Sequence, residues 1–138
     1  MKKYLRIILV LTFILTLTAC GSSTKKIVLP ESKNIKKIEI VYSQNQKSIK
    51  IDKEDELSKL ISDLNDNSKG TNEESVNDQP TNVEEYITIK FHHKISEDNP
   101  SIVYLYDKKG NYYLEQPYSG IWKLKDEVYD EINEKINK

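Results

Sequence analysis

The sequence predicts an α+β fold, a mainly antiparallel β-sheet with two α-helices packed on one face, in the order β-β-α-β-β-β-β-α. Three observations carry this reading. Short stretches of period-two alternation recur, separated by Asn, Asp, Gly and Pro, as in strands joined by tight turns. Two segments instead space their apolar residues by three and four, as a helix does. Both of those segments open on acidic residues, which suit the positive end of a helix dipole.

Taken in order, Ile38, Ile40 and Tyr42 alternate with Lys37, Glu39 and Val41, and residues 48–51 alternate again after a turn at 43–46, so 35–51 reads as a hairpin. Asp52 then stands at an N-cap position, and Leu57, Leu60, Ile61 and Leu64 follow at i, i+3, i+4 and i+7. Asn65 to Asn67 end that helix. Residues 65–84 offer almost nothing to bury, and the expectation is a disordered loop. Strand patterning returns with Ile87, Ile89 and Phe91, then with 102–106 and 112–115 around a Gly110 turn. A short strand over 121–124 leads into a last helix, opened by Asp126 and Glu127, with Val128, Ile132 and Ile136 on its apolar stripe.

The N-terminus has a different character. Lys2, Lys3 and Arg6 precede an apolar run over 7–17, too short for the ~20 residues of a spanning helix and fitting a secretory signal. Leu17-Thr18-Ala19-Cys20 resembles a bacterial lipobox, which implies cleavage between Ala19 and Cys20 and a diacylglyceryl group on the Cys20 thiol. The expected organisation is a signal peptide over 1–19, a lipid anchor and flexible tether over 20–34, and one domain over 35–138. The expected location is the cell membrane, lipid-anchored on its extracellular face. Two acyl chains on one cysteine would hold the protein there essentially irreversibly. Cys20 is the only cysteine, so the domain forms no internal disulfide.

The whole chain has 21 Lys and Arg against 22 Asp and Glu; residues 1–19 hold three basic and no acidic residues, leaving 18 against 22, a net charge of −4. A mildly acidic chain has no overall electrostatic case for nucleic acid or for anionic headgroups. Catalytic patterns are missing: there is no G-x-S-x-G elbow, no glycine-rich phosphate loop, and the two histidines are adjacent. His92 and His93 point to opposite faces of a strand and do not make a metal pair. Asp63, Asn65, Asn67 and Glu74 imitate a calcium loop, but Ser68 stands where the turn needs Gly. No cofactor, metal or catalytic residue is assigned.

Nine tyrosines and Trp122 against two phenylalanines are the remaining signal. Tyr combines apolar area with a polar tip and suits partner surfaces as well as sheets. Tyr86 and Lys90 point away from the Ile87/Ile89/Phe91 face, and Tyr104, Tyr106 and Tyr118 complete a candidate partner surface. Trp122 is expected as a core-border anchor.

The segment Glu115-Gln116-Pro117-Tyr118-Ser119-Gly120-Ile121-Trp122 resembles the signature of small lipoproteins from Gram-positive Firmicutes, the domain-of-unknown-function 5301 family. The resemblance spans residues 35–138 and implies a lipid-anchored extracytoplasmic domain, with no activity to carry over. The functional expectation is a non-catalytic binding or regulatory domain engaging another envelope component. The alternative is a small-ligand or ion-binding lipoprotein.

Overall fold

The computed structural model describes residues 24–138. A 3-10 turn, Ser32–Asn34, leads into strands β1 (Ile35–Tyr42) and β2 (Ser48–Ile51), helix α1 (Glu54–Asp66), and strands β3 (Ser68–Gly70), β4 (Ile87–His93), β5 (Ser101–Lys108), β6 (Asn111–Gln116) and β7 (Gly120–Leu124); helix α2 (Asp126–Asn137) closes the chain. The strands form one sheet in the order β2-β1-β4-β5-β6-β7-β3, antiparallel at every pairing. This is the α+β architecture that the patterning predicts, with β3 as an added edge strand.

Register explains the core. Ile38 stands opposite both Ile51 and Phe91, Ile89 opposite Ile40 and Val103, Leu105 opposite Ile87 and Leu114, and Leu114 opposite Trp122. Pairing of like positions carries one apolar row across the sheet, because side chains alternate faces with period two. Leu57, Leu60, Ile61 and Leu64 of α1 and Val128, Ile132 and Ile136 of α2 pack on that row. Tyr112 of β6 stacks on Tyr129 of α2, ring centroids 4.0 Å apart. Between the helices Lys59 pairs with Asp63 and Glu131, an exposed network of small energetic value.

Three local expectations are corrected. The N-cap of α1 is Lys53 and that of α2 is Lys125, neither with a side-chain bond, so Asp52 does not cap. The acids Glu54, Asp55, Glu56, Asp126 and Glu127 still occupy the first turns. Residues 24–34 are not a free tether: Ile27 is buried in the core, and the Trp122 indole N–H donates to the Lys25 carbonyl at 2.8 Å. The apolar Ile27 and Leu29 find a site against the main cluster, which polar stalk residues would not. Cys20 and Ala19 lie outside the described residues.

Residues 65–84 are not one structureless loop either. The first two of them finish α1, and β3 pairs with β7 in the register Ser68↔Leu124, Lys69↔Lys123 and Gly70↔Trp122. The chain must then travel from β3, at one edge, to β4 in the middle, past β7, β6 and β5. At ~4.8 Å per strand that is a displacement of about 19 Å. Topology requires a crossover here, a constraint invisible to local composition.

Candidate functional site

The crossover, residues 71–86, runs over the sheet face opposite the helices. Thr71 begins it by donating both its backbone N–H and its hydroxyl to the Ile121 carbonyl. Midway, the Ser75 hydroxyl donates to Glu115 Oε1 at 2.6 Å, and Ser75 and Glu115 are both 6% exposed. Tyr118 then donates to Asp78 at 2.8 Å, and Tyr86 reaches Gln79 at 3.5 Å. At its end Glu85 accepts from the Tyr42 hydroxyl and the Gln44 amide. The segment is a polar strap. Val76 contributes little, being 67% exposed.

Under the strap lies an aromatic floor. Tyr86 meets Tyr104 edge to face at 5.4 Å, and Tyr106 stacks on Tyr113 at 5.8 Å, geometries favoured by the ring quadrupole. Tyr106 also donates to Glu115 Oε2 at 3.1 Å. The Glu115 carboxylate is thus held between a strap hydroxyl on one oxygen and a floor hydroxyl on the other, which is how a buried charge is kept soluble in protein. Burial first, and the Glu115 charge second, push the Tyr106 phenol well above the ordinary range. Burial also raises the Tyr104 phenol above its ordinary value.

The five residues expected to form a partner surface therefore divide. Tyr104 and Tyr106 are buried, 6% and 4% exposed, so they are not an open surface while the strap is down. Tyr86 is half-buried at their edge, and Tyr118, 67% exposed, sits at the rim. Lys90 is on the same face, on the strand next to the one that carries Tyr106, and stands opposite Glu39 in register. Ser75, Asp78, Gln79, Tyr113 and Glu115 were not anticipated. Tyr113 and Glu115 could have been found, since they share the alternate face of β6; nothing local in Ser75-Val76-Asn77-Asp78 marks its destination.

Tyr118 carries a second peculiarity. It occupies the middle of the three-residue turn between Gln116 and Gly120 with φ +59°, while Ser119 N–H closes the turn on the Gln116 carbonyl. Gly or Asn is the usual tenant of a positive φ, and other residues store strain there. From that backbone conformation the phenol reaches Asp78.

The other sequence candidates are placed apart from this site. Asp63 lies within α1 and pairs with Lys59, while Asn67 turns back to donate to the Asp63 carbonyl. His93 bonds Ser101 Oγ at 2.8 Å, and His92 approaches Glu39 at 3.4 Å, ion-pair reach without hydrogen-bond alignment. Among the described residues no three His, Cys, Asp or Glu side chains gather as a metal site, and no helix is long and apolar enough to cross a membrane.

A sheet with both helices on one face and a polar strap across a tyrosine floor on the other defines a small α+β domain, with three open clefts lined mainly by Lys, Asp, Asn and Glu. The chain belongs to the DUF5301 family, whose profile, described as "Domain of unknown function (DUF5300)", matches residues 23–123. A similar solved structure, titled "NMR structure of the protein from Ruminococcus gnavus", is 25% identical, covers 75% of this chain and 99% of its own, and superposes with a TM-score of 0.62. No curated protein matches.

Proposed function

We propose that the protein is a lipid-anchored extracytoplasmic domain without catalytic activity, held at the membrane through diacylglyceryl-Cys20, which binds or regulates another envelope component through its tyrosine face. The strap–floor arrangement supports this reading. Four aromatic rings and a carboxylate are assembled on one face, then covered by a segment that brings hydroxyl and carboxylate contacts and little apolar area. A cover held that way competes poorly with a partner offering both apolar contact and a donor for Glu115. Tyr at such a surface supplies contact area at low side-chain entropy cost.

The test is site-specific photocrosslinking in intact cells, with the photoreactive side chain at Tyr118 on the rim or at Lys53 on the far side. The expected result is one envelope protein attached at Tyr118, more of it in a Ser75→Ala background that loosens the strap, and none at Lys53. Equal adducts at both positions, or none at Tyr118 in either background, would remove the reading.

A further inference from the structure

Net charge hides an asymmetry at the β3 edge of the sheet. Two neighbouring clefts there share Asp66, Ser68 and Lys69; together they are lined by Lys25, Lys26, Lys69, Lys123 and Lys125 against Asp66, Asp126 and Glu127. Five cations against three anions contrast with the −4 of residues 20–138. All five lysines are exposed, and none pairs with a carboxylate among the described residues. Two of them face one another: Lys69 stands directly opposite Lys123 in the β3–β7 ladder. Like charges at directly opposed positions are unfavourable, and an external anion between them would reverse the sign.

The chain's own path fixes where this edge lies. Lys25 is docked through its carbonyl to Trp122, and its ammonium bonds the Ser119 carbonyl. A Cβ on Gly70 would stand 2.5 Å from the Lys25 carbonyl oxygen, so the N-terminal segment lies hard against β3. Only Gly21, Ser22 and Ser23 separate Thr24 from Cys20. Four Cα steps of 3.8 Å reach at most ~15 Å. Acyl chains on Cys20 would therefore hold the domain within that distance of the bilayer.

We infer that the Lys25/Lys26/Lys69/Lys123/Lys125 edge is a membrane-facing surface that seats the domain on anionic lipid headgroups, with β2 and the β1–β2 turn outermost. The inference rests on acylation of Cys20. Short reach brings that edge to the bilayer, and a basic patch within a Debye length of an anionic leaflet is attracted to it. Mean charge does not oppose this, because screening confines the interaction to the groups nearest the surface.

The experiment uses the full acylated protein in vesicles, with lysine acetylation rates read residue by residue by mass spectrometry. In bilayers that are one-third phosphatidylglycerol, the five edge lysines should react about tenfold more slowly than Lys47 and Lys50 at the far edge. In pure phosphatidylcholine, or at ~1 M salt where the Debye length is ~3 Å, the difference should collapse. The double variant Lys69→Gln/Lys123→Gln, both exposed sites, should show the phosphatidylcholine pattern in either membrane. Uniform rates in phosphatidylglycerol overturn the inference, as does equal protection in both bilayers. Protection by dissolved polyglycerol phosphate as strong as that by the bilayer would assign the edge to a wall polymer instead. The intact mass of the same sample separates the two levels: a diacylglyceryl adduct with uniform rates overturns the seating alone, whereas its absence overturns the anchor and the seating together.

Discussion

Removing the Ser75 hydroxyl should unlatch the strap. Ser75→Ala deletes a 2.6 Å bond to Glu115 Oε1 and leaves that oxygen of a 6%-exposed carboxylate without its donor, while Tyr106 still serves Oε2. A hydrogen bond to a charged group contributes ~1.5–3 kcal/mol, and one of this length falls at the strong end of hydroxyl–carboxylate geometry. Taking ~2 kcal/mol, the open fraction of the strap should rise about 30-fold. Nitration by tetranitromethane reads this directly, because Tyr104 and Tyr106 react only when uncovered, whereas Tyr118 is exposed throughout. The ratio of Tyr106 to Tyr118 nitration should rise by that factor in Ser75→Ala. In Ser75→Ala/Glu115→Gln it should rise less than the product of the two single effects, since the two residues act as one contact. An unchanged ratio in Ser75→Ala, with the same urea midpoint as wild type, would refute the latch.

Four further outcomes are expected. Trp122→Ala should cost ~3–5 kcal/mol by urea unfolding, since a fully buried ring is lost and the Lys25 carbonyl loses its donor; Trp122→Phe should cost less and release the 24–29 segment to trypsin. Gly70→Ala should have a similar proteolytic effect at a cost of ~1–3 kcal/mol, because its Cβ collides with the Lys25 carbonyl. Stability should fall above pH 10: burial pushes Tyr129 up to about 12 and Tyr106 higher still, so the unfolded chain loses these protons first, at up to ~1.4 kcal/mol per pH unit for each phenol; that stability is fully present below pH 10, and Tyr129→Phe should flatten the decline seen by thermal melts between pH 10 and 12. Cys20→Ala should leave uncleaved precursor or release the protein from the detergent phase, and unchanged partitioning and mature mass would exclude acylation.

What the sequence made legible was what neighbouring residues decide. Ile38, Ile40, Ile87, Ile89 and Phe91 reveal their shared face by alternation alone, and the Leu57-to-Leu64 spacing fixes α1 and its buried side. Trp122 could be assigned to the core because the Pro117-to-Gly120 turn delivers it to the strand adjoining α2. The misreadings concern segments whose fate is settled at a distance. Residues 71–86 contain too little apolar matter to suggest order, yet strand order obliges them to cross the sheet, and the Tyr104/Tyr106/Tyr113 floor with Glu115 supplies partners that composition cannot display. The tether expected over 20–34 is instead seated from Lys25 onward, because Trp122 and Gly70 make a place for the segment that carries Ile27. Asp52 has the residue type of a cap, but the chain bends into helix one residue later, at Lys53.

The strap has length to spare. Between Gly70 and Ile87 the chain has seventeen steps, which extended would cover about 56–61 Å, against the ~19 Å from β3 to β4. Roughly two-thirds of its contour is therefore slack, taken up in turns such as the one at Asn82, where φ is +59°. A taut connection would drag β3 or β4 out of register whenever it rose from the sheet; this one can bow outward over the tyrosines with both roots still paired in the ladder. The same slack makes the length of the connection a poor target for selection and its contact points a strong one. Insertions near Asn72 or Thr81 should pass unnoticed by the fold, whereas one between Ser75 and Asp78 would shift the two grips out of phase with Glu115 and Tyr118.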